Sequence, residues 1–149
     1  MMKKYFILLL FLLSSCGYQP LFTLENPNNF IFNKINLTGD NEINRKIISA
    51  LSFKENSSDN SLNTISLESK KEISATSKNS KGQITSFKTT VNLTVVISAD
   101  KKVLKRKVFM ENFSYSNLDN KFDLAEYQNQ VENNLVEKII EELIIFINL

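Results

Sequence analysis

The stretch FKTTVNLTVVI, residues 87–97, decides the fold. Apolar and polar side chains alternate along it, and Val91, Leu93, Val95 and Ile97 fall at every second position. Because successive side chains of a β-strand point to opposite faces of the sheet, this period predicts a strand with one face on a core and the other in water. Such a strand needs partner strands beside it and a cover over its apolar face.

Turn residues on both sides place this strand inside a meander. Residues 78–82 predict a turn, in which Gly82 can take a positive φ, that connects back to a long polar strand over residues 62–77. On the other side, residues 99–102 close a second hairpin into a strand over residues 103–115. That strand has apolar side chains on both faces, so both faces are candidates for cover: Leu104, Val108 and Met110 on one, and Phe109, Phe113 and Tyr115 on the other.

Two helices are predicted outside the meander. A strand over residues 30–37 is followed by Thr38-Gly39-Asp40, which ends it and supplies a helix N-cap. The first helix then carries a stripe at helical spacing: Ile43, Ile47, Ile48 and Leu51. After a loop over residues 117–122, Asp123 and Glu126 have the spacing of a capping box. The stripe of the last helix is Leu124, Tyr127, Val131, Leu135, Ile139 and Leu143.

This order of strand, helix, three strands and helix predicts an α+β fold. We expect a four-stranded sheet, mostly an antiparallel meander, with two helices packed on one face and a polar opposite face. The sequence predicts a single domain over residues 30–149. The last helix becomes apolar nearly all round over residues 139–147, so its end is either buried in the core or in contact with a partner.

The N-terminus has the pattern of a bacterial lipoprotein precursor. Lys3 and Lys4 precede an apolar run over residues 5–13, which is typical of a secretory signal peptide and too short to span a bilayer as a helix. Leu13-Ser14-Ser15-Cys16 then matches the motif at which prolipoproteins are lipidated and cleaved. We therefore predict a signal peptide over residues 1–15, acyl chains on Cys16 and a tether over residues 16–29. The alternative is an unmodified cysteine. Gly17 after the cysteine, rather than Asp, favours the outer membrane.

Composition narrows the classes of chemistry. The chain has one cysteine and no histidine, so its own residues cannot form a Ser-His or Cys-His catalytic pair, a histidine zinc site or an internal disulfide. Removing Lys3 and Lys4 leaves 16 basic and 16 acidic residues, so a general attraction to nucleic acid is not expected. No phosphate-binding loop or nucleophile motif occurs. We predict a protein that is not an enzyme and needs no cofactor or metal.

Two basic hairpins remain as candidate binding sites. Lys78 and Lys81 flank the first turn, and the second hairpin carries a longer basic group: Lys101, Lys102, Lys105, Arg106 and Lys107. Lysines at such positions commonly keep sheet edges soluble. The alternative is an anion-binding tip that contacts the phosphates of a glycolipid or of a membrane surface. On that hypothesis Lys78 and Lys81 are the candidate lipopolysaccharide contacts.

The segment Cys16-Gly17-Tyr18-Gln19-Pro20-Leu21-Phe22 resembles the start of the lipopolysaccharide-assembly lipoprotein family LptE, in its alphaproteobacterial form. The likeness continues at Lys81-Gly82-Gln83, which leads into the alternating strand, and in the hairpin and terminal helix that follow. The lipidation segment and the strand after Gly82 are its motif-like parts. The resemblance extends in order along the whole chain.

This resemblance implies a role without catalysis. LptE proteins lie in the lumen of the outer-membrane β-barrel LptD, help it to assemble, and take part in placing lipopolysaccharide in the outer leaflet. The implied partners are LptD, lipopolysaccharide and the membrane that holds the acyl chains, palmitate among them. Basic residues near a hairpin tip contact lipopolysaccharide in the family; here Ser80 and Lys81 occupy that stretch, and only Lys81 is basic. A stand-alone lipoprotein that binds a ligand or peptide is the main alternative, and an envelope hydrolase is the third and least favoured one.

Overall fold

The computed structural model describes residues 30–59 and 62–149. The predicted signal peptide, Cys16 and tether lie outside the described residues. The regular elements, in chain order, are β1 (Ile31–Phe32), β2 (Lys34–Gly39), α1 (Asn41–Leu51), β3 (Lys54–Glu55), β4 (Thr64–Lys78), β5 (Ile84–Ala99), β6 (Lys102–Ser116) and α2 (Lys121–Asn148).

The main sheet has the strand order β2-β4-β5-β6. β2 is parallel to β4, and the β4, β5 and β6 strands form an antiparallel meander. Both helices pack on one face, so the predicted α+β fold is confirmed. β1 and β3 add a short parallel pair, which the sequence does not predict because each strand is only two residues long.

The two hairpins lie at opposite ends of the sheet. Lys34 pairs with Thr64, Thr64 with Ser98 and Ser98 with Val103. The chain therefore enters the sheet beside the Asp100–Lys101 turn, and we call this end the base. The turn over residues 78–82 marks the other end, which we call the tip. At about 3.4 Å per residue, the long strands separate the two ends by about 50 Å.

The alternating residues of β5 form the centre of the core. Val91, Leu93 and Val95 are fully buried under the two helices. The stripes predicted for the helices meet them there, and the buried apolar members are Ile43, Ile47 and Leu51 of α1 and Val131, Leu135, Val136, Ile139 and Leu143 of α2. Burial of one face of each element thus accounts for the two-layer architecture.

The structure corrects three sequence-based expectations. The N-cap of α2 is Asn120, whose side chain accepts from the backbone N–H of Phe122 at 2.9 Å, and the predicted capping box at Asp123 does not form. β6 is covered on one face only, since Val108 and Met110 on the opposite face are exposed. The end of α2 is not buried all round, because Ile145 is exposed.

Among the helices of the described residues, none combines the length and the apolar composition that a membrane span needs.

The start of α1 is fixed against β4 through Gly39 and Asp40. Asp40 caps the helix as predicted, accepting from the backbone N–H groups of Glu42 at 3.0 Å and Ile43 at 3.1 Å. Its own N–H donates to the carbonyl oxygen of Ser69 at 3.1 Å. Gly39 has a φ of 85°, and a Cβ there would lie 1.8 Å from that same oxygen. This close approach of two backbones leaves no room for a side chain.

We predict that Gly39→Ala lowers the free energy of unfolding by about 3 kcal/mol or more, because a left-handed conformation and a backbone clash combine. Gly82 is the matched control: its φ is 78°, but a Cβ there meets open space. Gly82→Ala should therefore cost only about 1 kcal/mol. Urea unfolding measures the free energy of unfolding of both variants. Equal losses of stability would contradict the close approach of Gly39 to the Ser69 carbonyl.

Candidate functional site

The tip hairpin holds Lys78 and Lys81, the two predicted lipopolysaccharide contacts. The side chain of Asn79 organises the turn, since its Oδ1 accepts from the backbone N–H groups of Lys81 at 2.9 Å and Gln83 at 3.0 Å. Its Nδ2 donates to Gln83 Oε1 at 2.9 Å. The turn is thus closed by local polar contacts, while both lysines are exposed and have no carboxylate partner among residues 30–59 and 62–149.

A cluster of hydroxyl groups lies directly behind this turn. Ser77 Oγ shares hydrogen bonds of 2.6 Å with Thr85 Oγ1 and with Ser86 Oγ, and Thr76 Oγ1 is also 2.6 Å from Ser86 Oγ. The pairing of β4 with β5 is irregular on both sides of Ser77. This irregularity brings hydroxyl groups together that a regular register would keep on opposite faces.

A small polar hollow of about 270 Å³ opens beside the turn. Asn117 closes one side of it, donating from Nδ2 to the carbonyl oxygen of Ile84 at 2.9 Å. The other lining residues are Asn79, Gln83, Thr85 and Asp119. Amide and hydroxyl donors with two ammonium groups nearby can bind phosphate or sugar oxygens. The carboxylate of Asp119 opposes an anion at this wall.

The structure places the two basic hairpins far apart. Lys78 and Lys81 lie at the tip, whereas the group from Lys101 to Lys107 lies at the base, where the chain enters the domain. The sequence could not rank the two, because each is a lysine-rich turn between alternating strands. Cys16, the remaining predicted site residue, lies outside the described residues.

Glu132 of α2 is a buried carboxylate that the sequence does not reveal. Its side chain is 3% exposed and lies between two ammonium groups: Lys46 Nζ of α1 at 2.8 Å and Lys71 Nζ of β4 at 2.5 Å. The position of Lys71 in β4 turns its side chain toward the helices. The i and i+4 spacing within one helix predicts local pairs only, so no sequence pattern could have revealed this contact between three elements.

The ion pairs shift the pKa of all three groups. Burial by itself raises the pKa of a carboxyl, but the hydrogen bonds from Lys46 and Lys71 outweigh burial, and the pKa of Glu132 lies below its ordinary value of 4.5. Burial also opposes charge on Lys46, yet its hydrogen bond to Glu132 leaves its pKa above 10.5. The hydrogen bond to Glu132 raises the pKa of Lys71 as well. All three groups are therefore charged at neutral pH.

A second hollow, a groove of about 400 Å³, runs between α2 and the edge strand β6. Phe113, Tyr127, Val131 and Leu135 supply its apolar part, and its other lining residues are Gln130, Asn134, Glu137, Lys138 and Glu141. No three His, Cys, Asp or Glu side chains of the described residues come close enough together to hold a metal ion.

Solved structures of bacterial lipoproteins have the same fold. The rare lipoprotein B from Shewanella oneidensis superposes with a TM-score of 0.61 at 10% identity, over 77% of this chain and 93% of that one. A minor lipoprotein from Acinetobacter baumannii gives 0.56 at 12% identity, over 76% and 89% of the two chains. An uncharacterized lipoprotein B from Nitrosomonas europaea gives 0.51 at 14% identity, over 77% and 81%. No protein-family model and no curated protein matches the sequence.

We predict that Glu132→Gln lowers the free energy of unfolding by about 2–3 kcal/mol at neutral pH, because it removes charge-assisted hydrogen bonds to two lysines. The unfolded carboxyl titrates near 4.5 and the folded one lower. The contribution of Glu132 is therefore fully present above pH 4.5 and is lost as the pH falls through the folded value. Urea unfolding at a series of pH values should show the free energies of unfolding of wild type and Glu132→Gln converging over that acidic range.

Glu42→Gln is the control for this experiment. Glu42 pairs with the same Lys46 at 3.0 Å but is exposed, so its loss should cost less than about 0.5 kcal/mol. If the free energies of unfolding of wild type and Glu132→Gln differ by the same amount at neutral and at acidic pH, the assignment of a charged Glu132 is wrong.

Charge reversal at the tip tests the predicted lipid contact. The double variant Lys78→Glu, Lys81→Glu should bind lipopolysaccharide at least roughly tenfold more weakly, since the loss of one ammonium–phosphate contact is already worth about that factor. Binding is measured by titrating immobilised protein with purified lipopolysaccharide. Lys70→Glu with Lys138→Glu changes the charge equally away from the tip and should leave affinity unchanged. Unchanged binding by the tip variant would end this hypothesis.

Proposed function

We propose that this chain is an outer-membrane lipoprotein of the LptE type, which occupies the lumen of an LptD β-barrel, helps it to assemble and takes part in inserting lipopolysaccharide into the outer leaflet. The observation that carries the proposal is the fold. A chain with a lipidation motif at Cys16 has the architecture of solved lipoproteins over about three quarters of its length. The resemblance of residues 16–22 to LptE supplies the partner and the lipid.

The uncovered face of the sheet suits a barrel lumen. Neither α1 nor α2 packs on it, and most of its side chains are polar: Ser66, Glu68, Lys70, Glu72 and Ser74 of β4, Lys88, Thr90, Asn92 and Thr94 of β5, and Asn112 and Ser114 of β6. The inner wall of a wide outer-membrane barrel is polar and wet. A body that presents hydroxyl, amide and charged groups of both signs can form hydrogen bonds and ion pairs with such a wall.

The direction of the sheet fits transport toward the outer leaflet. Lipid anchoring at Cys16 holds the base close to the anchoring leaflet, because the chain enters the domain there. The tip, with its two lysines and its hydroxyl cluster, then points away from that leaflet. This orientation carries Lys78 and Lys81 toward the leaflet in which lipopolysaccharide is placed.

The groove beside α2 favours a second candidate function. A stand-alone lipoprotein that binds a ligand or peptide needs an apolar recess, and Phe113, Tyr127, Val131 and Leu135 form one at the edge of the sheet. Such a protein would be stable and active without a barrel. The two functions therefore differ in what accompanies the protein in its native membrane.

We expect a mild-detergent pull-down of the tagged, lipidated protein from its own outer membrane to recover a large β-barrel protein in near one-to-one amount, identified by mass spectrometry. Depletion of the lipoprotein should lower the amount of correctly folded barrel, measured by its heat-modifiable migration in gels. These results follow because a lumen plug stays inside its barrel after extraction.

The Cys16→Ala precursor is the control, since loss of the acylated cysteine should prevent anchoring and lower barrel recovery. Recovery of the lipoprotein alone, from membranes in which the barrel is abundant, would overturn the plug proposal. The binding module would then be the better explanation.

A further inference from the structure

The base of the domain carries an unneutralised group of positive charges. Lys101, Lys102, Lys105 and Arg106 have no carboxylate partner within the described ranges 30–59 and 62–149. Asp100, in the turn itself, is the one acidic residue between positions 100 and 107. Lys107 differs from the other four, because it pairs with Glu142 at 3.3 Å. We call Lys101, Lys102, Lys105 and Arg106 the basic hairpin.

Two exposed aliphatic residues lie between the charged residues of the basic hairpin in the sequence. Val103 is 56% exposed and Leu104 is 51% exposed. The C-terminal end of α2 packs along the half of β6 nearer the base, since Lys105 Nζ lies 6.0 Å from the Phe146 ring and Phe146 packs against Phe109, in the middle of β6, with ring centroids 5.8 Å apart. Ile145, beside Phe146, is 52% exposed. The base therefore combines ammonium groups with aliphatic side chains that water does not favour.

The same end is the one nearest to the predicted lipid anchor. Cys16 precedes Phe30 by fourteen residues, which span at most about 50 Å when fully extended. The tip lies about 50 Å from the base. Bringing the tip to the anchoring leaflet would take the full reach of the tether laid along the domain, whereas bringing the base there takes little of it. Acyl chains on Cys16 thus hold the basic hairpin near the headgroups.

We propose that the basic hairpin, with Val103 and Leu104 between its charges, seats on the anionic phospholipid headgroups of the leaflet that holds the acyl chains of Cys16. The lysines and Arg106 bind phosphates, and the aliphatic side chains enter the boundary between headgroups and acyl chains. This inference rests on the lipidation in the proposed function but not on the barrel partner. A nucleic acid or an acidic protein would bind the charges but gives no role to the aliphatic residues.

Fluorescence quenching in vesicles tests this seating. Cys16 is the one cysteine of the chain and its thiol is blocked by lipidation, so Leu104→Cys in the full, lipidated protein gives a unique site for a fluorophore. We expect phospholipids with a spin label near the headgroup to quench it in phosphatidylglycerol-rich vesicles, and much less in phosphatidylcholine vesicles. Lys81→Cys labels the tip as a matched control and should stay unquenched in both.

Removing charge should lift the base from the bilayer. The triple variant is Lys101→Gln, Lys102→Gln, Arg106→Gln. Each lost charge should shift the equilibrium between seated and lifted domain about fivefold, and the three together roughly a hundredfold. Quenching at position 104 should fall accordingly, while the acyl chains keep the protein on the vesicle. Lys70→Gln, Lys121→Gln, Lys138→Gln removes the same charge elsewhere and should leave quenching unchanged. Circular dichroism confirms that both triple variants fold.

Three results would overturn the proposal. The label at position 104 could stay unquenched in phosphatidylglycerol-rich vesicles, or positions 104 and 81 could be quenched equally. Alternatively, a photoactivatable group at position 104 could crosslink to a protein in native membranes without quenching in vesicles, which would assign the base to a protein partner. Because the vesicles contain no barrel, the quenching result does not depend on whether the plug proposal is correct.

Discussion

One-sided burial of β5 is the constraint on which the rest of the structure depends. Val91, Leu93 and Val95 lie on a single face and are removed from water completely. Two flanking strands satisfy the backbone of β5, but only a second layer can cover its apolar face. α1 and α2 supply that layer on one face, and neither helix covers the opposite, mostly polar face. The candidate contact surface of the protein is therefore a consequence of how its core is closed.

Glu132 shows how this second layer is held in register. Apolar contacts between helices and sheet have little direction, whereas a buried carboxylate between Lys46 and Lys71 fits one relative placement of α1, α2 and β4. The cost of burying its charge is offset by hydrogen bonds from both ammonium groups. The close approach of Gly39 to Ser69 fixes α1 to β4 by steric exclusion in the same way. Packing drives the association, and these two contacts select its geometry.

The two ends of the sheet differ in chemistry, and this difference gives the domain a direction. The base joins positive charge to exposed aliphatic residues and receives the chain from the predicted anchor. The tip joins two lysines to hydroxyl and amide groups and has no exposed aliphatic side chain in its turn. A membrane boundary suits the first surface, and a phosphorylated sugar suits the second. Both proposed contacts call for the same direction of the domain, with the base toward the anchoring leaflet and the tip away from it.

The sequence by itself determined the α+β class, the meander, the apolar faces of both helices and the Asp40 cap, because each depends on residues close together in the chain. The Asn120 cap, the β1–β3 pair and the exposed face of β6 were decided by tertiary packing, since neighbours distant in sequence set which backbone groups and side chains are covered. Only the folded chain brings Lys46, Lys71 and Glu132 together. Likewise, the two lysine-rich turns become distinct sites only when the register of the strands sends them to opposite ends.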